Sequence, residues 1–444
     1  MSTTFKPFEE KMRAAGMGDL AIETFRRNYE AFLHGGSGLI REAEIEAAED
    51  VERFEGGGEA AGAEDAELLG RTVVVKLNGG LGTSMGLSKA KSLLPLRDGA
   101  TFLDLIVRQI EWLRRQSGAR VRLLLMNSFA TSADTMAWLA EHAGGDFADP
   151  GEVEMIQNRV PKIDAQTLGP VEWPANPELE WCPPGHGDLY AVLVESGWLE
   201  RLLAEGVRYA FVSNSDNLGA TLEAGLLRRF AESGAPFMME VTRRTRADRK
   251  GGHLAVRHAD GHLLLREVAQ CAEEDLEAFQ DIEHHRYFNT NNIWLRLDAL
   301  KETLDANGGV LPLPVIRNRK TVDPRDKSST PVVQLETAMG AAIECFDGAR
   351  AIEVGRDRFA PVKTTADLLV VRSDAYRLLD DGRLELAPER NGRPPVVELD
   401  ERYRFVDALD GLGLPSLLHC DHLRVAGETK FEPGQPLRGD VTVP

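Results

Sequence analysis

Residues 73–91 constrain this chain more than any other stretch. Val73-Val74-Val75 and one lysine lead straight into LNGGLGTSMGLSKAK. An apolar β-branched run that ends in glycines predicts a buried strand followed by a tight turn. The amides of Gly79, Gly80 and Gly82 carry no Cβ shield, so they can approach anionic oxygens closely and adopt positive φ. Lys89 and Lys91 follow where charge is needed. The loop is neither a P-loop nor a dinucleotide fingerprint. No register supplies the P-loop spacing, and Met85 stands where a third dinucleotide glycine belongs. Taken alone, the segment suits either a phosphate cradle or a plain strand-to-helix connection.

The surrounding pattern alternates. Strands are predicted over 72–77, 121–126, 209–213 and 236–242. Thr101 and Asp104 make a capping box for a helix whose apolar face is Leu103, Ile106, Val107, Ile110 and Leu113. A further helix is predicted over 189–205, closed by Gly206. This rhythm predicts an α/β fold with a mixed, mostly parallel sheet covered on both faces, with ligands outside the carboxyl ends of the strands. Residues 1–54 read as amphipathic helix, with Phe8, Met12, Leu20, Ile22, Phe25 and Phe32 as core contacts. The Gly-, Ala- and acid-rich run 55–67 reads as a flexible linker. After residue 374 short apolar pieces alternate with polar ones between glycines, a pattern suiting a short β-solenoid or small sheet. The expected domains are therefore an N-terminal helical segment and linker (1–70), a central domain (71–374) and a β-helix-like C-terminal part (375–444).

A chain of 444 residues, 43% of them hydrophobic, can bury a large core. Its formal charge of −19 argues against gripping nucleic acid or an anionic membrane through bulk charge. Any polyanion must be met by local lysines and a divalent metal. Cys182, Cys271, Cys345 and Cys420 form no CxxC pair, and neither a signal segment nor a membrane-length apolar run is visible, so a reducing cytoplasm is the expected setting.

Several clusters bear chemistry. CPPGHGD (182–188) is a stiff loop presenting His186, either toward a phosphate or sugar oxygen or as the cap of a turn. Asp188 is expected to start the next helix. Asp216, in SNSDN after the 209–213 strand, is a good magnesium ligand or an Asx-turn carboxylate. Asn289, Asn291 and Asn292 suit sugar hydroxyls or an ordinary polar turn. Lys363, beside two threonines, can reach a phosphate or lie at the surface. Residues 419–422 (HCDH) invite a metal, but strand alternation splits them between faces.

Together these stretches match one family. LNGGLGTSMG (77–86), FLDL (102–105), MNSF (126–129), PPGHGD (183–188), FVSNSDNLGAT (211–221), MEVT, TRAD and KGG (239–252), FNTNN (288–292), QLETAMGAAI (334–343) and PVKTTADLLVV (361–371) occur in order. On these motifs the chain resembles the UDP-glucose pyrophosphorylases (UTP–glucose-1-phosphate uridylyltransferases, UDPGP type 1). The resemblance implies a GT-A-like nucleotidyltransferase core with a C-terminal left-handed β-helix. It implies reversible formation of UDP-glucose and pyrophosphate from UTP and glucose 1-phosphate, with Mg²⁺. It implies uracil and ribose contacts at Leu77, Gly79, Gly80, Met126, Gln157, Gly185, Asn214 and Ser215, and a metal on Asp216. Lys91 and Lys363 would face the phosphates, with His186 near the sugar phosphate. Glu240, Gly252, Glu267, Asn291 and Asn292 would line the glucose.

The chain departs from the family at Ser88, where a lysine is usual, and at Lys89-Ala90, where Gly-Pro is usual; the 324–331 segment is longer. Two rivals stay open. One is the same chemistry on an N-acetylhexosamine 1-phosphate, against which Leu81 and Ser84 argue. The other is a non-catalytic nucleotide-sugar-binding protein, against which Asp216, Lys91 and Lys363 argue. The expected partners are small molecules, with self-association into a homo-oligomer left open.

Overall fold

The computed structural model describes residues 5–34, 38–56, 62–97 and 99–444. The chain forms two compact units, each assembled from three separated stretches. One comprises Met1–Glu55, Met155–Val212 and Arg229–Val354; the other comprises Gly56–Glu154, Ser213–Arg228 and Gly355–Pro444. Among the described residues no helix is long and apolar enough to cross a membrane.

In the first unit, helices Lys6–Ala14 and Asp19–His34 lay Phe8, Met12, Ile22, Phe25 and Tyr29 into a core shared with Val160, Ile163 and Leu335. Phe32 is half-buried at its margin, and Leu20 is half-buried without joining that core. The helical expectation for residues 1–54 holds only to His34. Beyond it, Ile45–Ala47 and Glu52–Arg53 are strands. Alternation explains the first of these: Ile45 buries against Ala255 and Leu264 while Glu46 stays in water. The predicted 189–205 helix is two helices, Leu189–Glu195 and Trp198–Ala204, because Gly197 between them is left-handed at φ +76°.

The sheet of this unit runs in the order Glu52–Arg53, Arg350–Glu353, Phe237–Arg243, Tyr287–Arg296, Tyr209–Asn214. Its first two joints are parallel. Its last two are antiparallel. Strand His253–Arg257 pairs with Leu263–Arg266 and with Ile45–Ala47, and meets Phe288 at His253.

In the second unit, Thr72–Asn78 runs parallel to Arg122–Asn127, Leu77 opposite Met126. Helix Phe102–Ser117 connects them, and Thr101 caps it by accepting from the Asp104 N–H at 3.1 Å. The expected linker over 55–67 lies in part outside the described residues. Its C-terminal end is ordered as a turn Ala63–Asp65 and a helix Ala66–Gly70. Near the C-terminus, Val396–Leu399, Ser416–Val425 and Pro436–Val443 stack as a three-stranded parallel sheet. Its buried Leu417, Cys420, Leu423 and Val425 join a core with Met85, Phe102, Leu105, Val362 and Leu368.

Candidate active site

The second unit gathers the glycine loop, a carboxylate and the lysines. The loop closes on itself: Met85 N–H donates to Gly82 O at 2.8 Å and Lys91 N–H to Gly80 O at 3.0 Å. Gly82 and Gly86 are left-handed, at φ +66° and +79°. A Cβ on Gly80 would meet nothing within 4 Å, so this face of the loop is open to a ligand. Parallel register sets Asn78 beside Asn127, and Asn78 Nδ2 donates to Asn127 Oδ1 at 2.7 Å. Ser128 Oγ donates to Gly79 O at 2.9 Å. Ser215 N–H donates to Leu77 O at 3.1 Å, which docks the 214–217 turn onto the same strand end. Leu77, Gly79, Met126, Asn214 and Ser215 thus meet around one loop.

Lys91 Nζ donates to Asp216 Oδ2 at 2.7 Å, both side chains largely buried. Val362 N–H donates to Asp216 O at 3.1 Å, and Asn217 bridges to Pro361. Lys363 therefore follows directly from the segment that lies against Asp216. Its own N–H donates to Asp367 Oδ2 at 2.9 Å, while its ammonium is exposed and makes no ion pair or hydrogen bond among the described residues. Thr364 caps the helix Thr365–Arg372 that fixes this turn. Lys89 is exposed, and Ser88 beside it. Asp216 is a lone hard carboxylate at a strand end; a cation that takes few protein oxygens and fills its sphere with phosphate and water fits that donor set.

The first unit gathers the other candidates. Gln157 Nε2 donates to Gly185 O at 2.9 Å. Gly185 is left-handed at φ +84°, and a Cβ there would sit 2.4 Å from Thr337 O. Thr337 N–H donates to Pro184 O at 2.9 Å, and Met339 N–H donates to His186 Nδ1 at 2.9 Å. That bond fixes the tautomer: Nδ1 accepts, so the proton sits on Nε2. Burial lowers the His186 pKa to about 4, so the ring is neutral at physiological pH. Asp188 stands at the N-cap of the following helix, as expected, but its side chain makes no capping bond. Its carboxylate accepts from Asn158 N–H at 2.8 Å and from Asn158 Nδ2 at 3.2 Å, and burial pushes its pKa up to about 6.

Glu240 is fully buried. Asn292 Nδ2 donates to its Oε2 at 3.0 Å and Trp294 Nε1 to its Oε1 at 2.9 Å. FNTNN is not a turn between elements but a bulge inside strand Tyr287–Arg296. Glu240 opposes Asn292, whereas the next residue, Val241, opposes Asn289. The bulge puts Asn291 in the left-handed region at φ +62°, and Thr290 Oγ1 staples it to Glu240 O at 2.7 Å. Gly252 sits against Glu267: a Cβ would come 2.7 Å from its carboxyl group. Asn289 N–H reaches Gly252 O at 3.3 Å. Glu240, Gly252, Glu267, Asn291 and Asn292 thus belong to one polar cluster. Gln157 and Gly185, expected with the uracil contacts, belong to this unit and not to the unit of Leu77 and Met126.

Sequence reading missed Trp294 and Met339. Trp294 lies two residues after Asn292, hence on the same strand face, which was a usable signal. Met339 acts through its backbone N–H, which no side-chain pattern announces.

The family model described as UTP–glucose-1-phosphate uridylyltransferase matches residues 22–438. The UTP–glucose-1-phosphate uridylyltransferase of Saccharomyces cerevisiae is 43% identical over 383 residues, 86% of this chain and 75% of that protein. That of Solanum tuberosum is 42% identical over 386 residues, covering 86% and 78%. A variant of UDP-glucose pyrophosphorylase from Leishmania major, solved in complex with UDP-glucose, superposes with a TM-score of 0.92 at 46% identity, over 100% of this chain and 95% of that one. A UDP-glucose phosphorylase from Trypanosoma brucei gives 0.90 at 46% identity, with the same coverage.

Proposed function

Because the chain belongs to the UTP–glucose-1-phosphate uridylyltransferase family, we propose that it moves the uridylyl group of UTP onto glucose 1-phosphate and releases pyrophosphate, with UDP-glucose as product. A phosphate oxygen of the sugar monoester attacks the α-phosphorus in line. The bond from that phosphorus to the bridging oxygen breaks, and its electron pair leaves with pyrophosphate. Two anions must meet and charge builds on the leaving group, so the protein needs positioning and cations, not a nucleophile. The observation that carries this reading is the Lys91–Asp216 ion pair beside the open glycine loop, with the Lys363 segment bonded to the Asp216 backbone.

In this reading the second unit handles the nucleotide. Leu77, Gly79, Gly80, Met126, Asn214 and Ser215 hold base and ribose, while Lys91 and Lys363 neutralise phosphate oxygens. Asp216 would hold Mg²⁺, which supplies further positive charge to the triphosphate when bound. Lys91 orients that carboxylate. The first unit handles the sugar. Glu240, Gly252, Glu267, Asn291 and Asn292 face glucose hydroxyls, and Gln157 and Gly185 serve the nucleotide side. Neutral His186 donates from Nε2 to a sugar-phosphate oxygen; it orients and does not exchange a proton. We assign catalysis to residues 71–374, with 1–70 and 375–444 as flanking parts. The stacked parallel strands near the C-terminus support a left-handed β-helix there, and four free thiols support a reducing, cytoplasmic setting.

The test is pyrophosphate release from UTP and Mg²⁺ with a panel of sugar 1-phosphates. Glucose 1-phosphate should give the highest rate. Faster turnover of an N-acetylhexosamine 1-phosphate would reject the sugar assignment. UDP-glucose binding without any pyrophosphate exchange would reject catalysis.

A further inference from the structure

Glu42 lies in the turn Glu42–Glu44 just before strand Ile45–Ala47, and His284 and His285 lie in the turn that opens strand Tyr287–Arg296. His285 Nε2 is 2.8 Å from Glu42 Oε1, and His284 Nε2 is 3.7 Å from the same oxygen. The three potential ligand atoms all lie within 4.8 Å of one another. We propose that Glu42, His284 and His285 bind a zinc-class divalent ion that clasps the N-terminal segment to the start of the 287–296 strand.

The donor set argues for the class of ion. Two imidazole nitrogens and one carboxylate oxygen suit Zn²⁺, Co²⁺ or Ni²⁺, whereas Mg²⁺ and Ca²⁺ want oxygen alone. Three protein ligands leave a fourth position for water, and His284, half exposed, gives the entry side. The outer shell of Glu42 is already built. Arg266 bonds the other Glu42 oxygen with one nitrogen and Asp275 with the second. Glu42 N–H donates to Asp275 Oδ2 at 2.8 Å. Oε1 is thereby left facing the imidazoles, the orientation that second-shell partners give metal ligands. His285 is fully buried, with His253 stacked on it at 3.8 Å between ring centres. The site differs from the magnesium position assigned to Asp216 in its donors, and Asp216 belongs to the other unit.

Tag-free protein, stripped with chelator and desalted, should be titrated with Zn²⁺ in a calorimeter and with Co²⁺ by visible absorption, both in excess Mg²⁺. One equivalent should bind, Mg²⁺ should not compete, and the thermal midpoint should rise with Zn²⁺. His284→Ala and Glu42→Gln should each weaken binding by about tenfold or more. Cys271→Ser, which removes a neighbouring buried thiol, should bind like the parent. Absence of stoichiometric binding would overturn the site, as would His284→Ala binding Zn²⁺ like the parent. Should Glu42→Gln misfold, His284→Ala and His284→Gln decide the matter, because His284 is half exposed and, among the described residues, its imidazole pairs with no polar group other than Glu42.

Discussion

Lys363 is anchored through its backbone while its ammonium stands free, an arrangement that separates function from folding. Lys363→Ala should leave the thermal midpoint unchanged and cut turnover by about 10²- to 10³-fold, the scale of losing one preorganised charge contact in a transition state. Near-normal pyrophosphate release by that variant would remove Lys363 from the mechanism. His186 offers a pH signature. Its folded pKa is depressed to about 4 from an ordinary 6.5, so the native state binds fewer protons than the unfolded chain between those values. The stabilisation from neutral His186 is therefore complete above the ordinary value and lost as pH falls toward the folded one. The stability gap between parent and His186→Gln, from urea midpoints, should shrink between about pH 7 and about pH 4.5. A constant gap would show that the ring is not held neutral by burial. At this scale the sequence disclosed the residue types well, because glycine, lysine, aspartate and asparagine advertise their chemistry. It could not disclose that Lys91 pairs with Asp216 across 125 positions, nor that Met339 sets the His186 tautomer.

The loop that presents His186 depends on Gly185. Gly185→Ala combines a left-handed backbone with a Cβ 2.4 Å from a carbonyl oxygen, and neither partner atom can retreat without breaking the Thr337–Pro184 bond. It should destabilise by about 1–3 kcal/mol from strain alone, with more from the clash. Gly206→Ala has similar φ but open space, so it should cost only the strain. Equal costs in chemical denaturation would refute the steric part. The strands and capped helices around the glycine loop were legible, since β-branched runs and the Thr101–Asp104 box act locally. The break at Gly197 and the FNTNN bulge were not. One glycine inside a helical pattern is a common tolerated event, and a bulge is defined by the partner strand, which local periodicity does not contain. The strands after His34 were hidden for the same reason.

At the scale of the molecule, residues 375–444 share a core with distant stretches. Leu409, Leu412, Leu417, Cys420, Leu423 and Phe431 pack in one cluster with Met85, Phe102, Leu105 and Leu368. A chain ending at residue 374 should lose cooperative unfolding and aggregate, because that apolar surface would face water. A sharp melt by circular dichroism at the parent's midpoint would contradict this. Composition foretold a large globular chain. The assembly of each unit from three separated stretches was beyond reach, because hydrophobic pattern says that a face is buried and not against what. That weave matters while the ribosome is still at work. The first unit has all its parts only after residue 354 has emerged, and the second only when the last strand has, so a nascent chain carries unfinished apolar faces for most of its synthesis. Translation pauses or truncated messages should leave products that depend on chaperones, whereas a chain that has emerged past residue 443 closes both units from material already present.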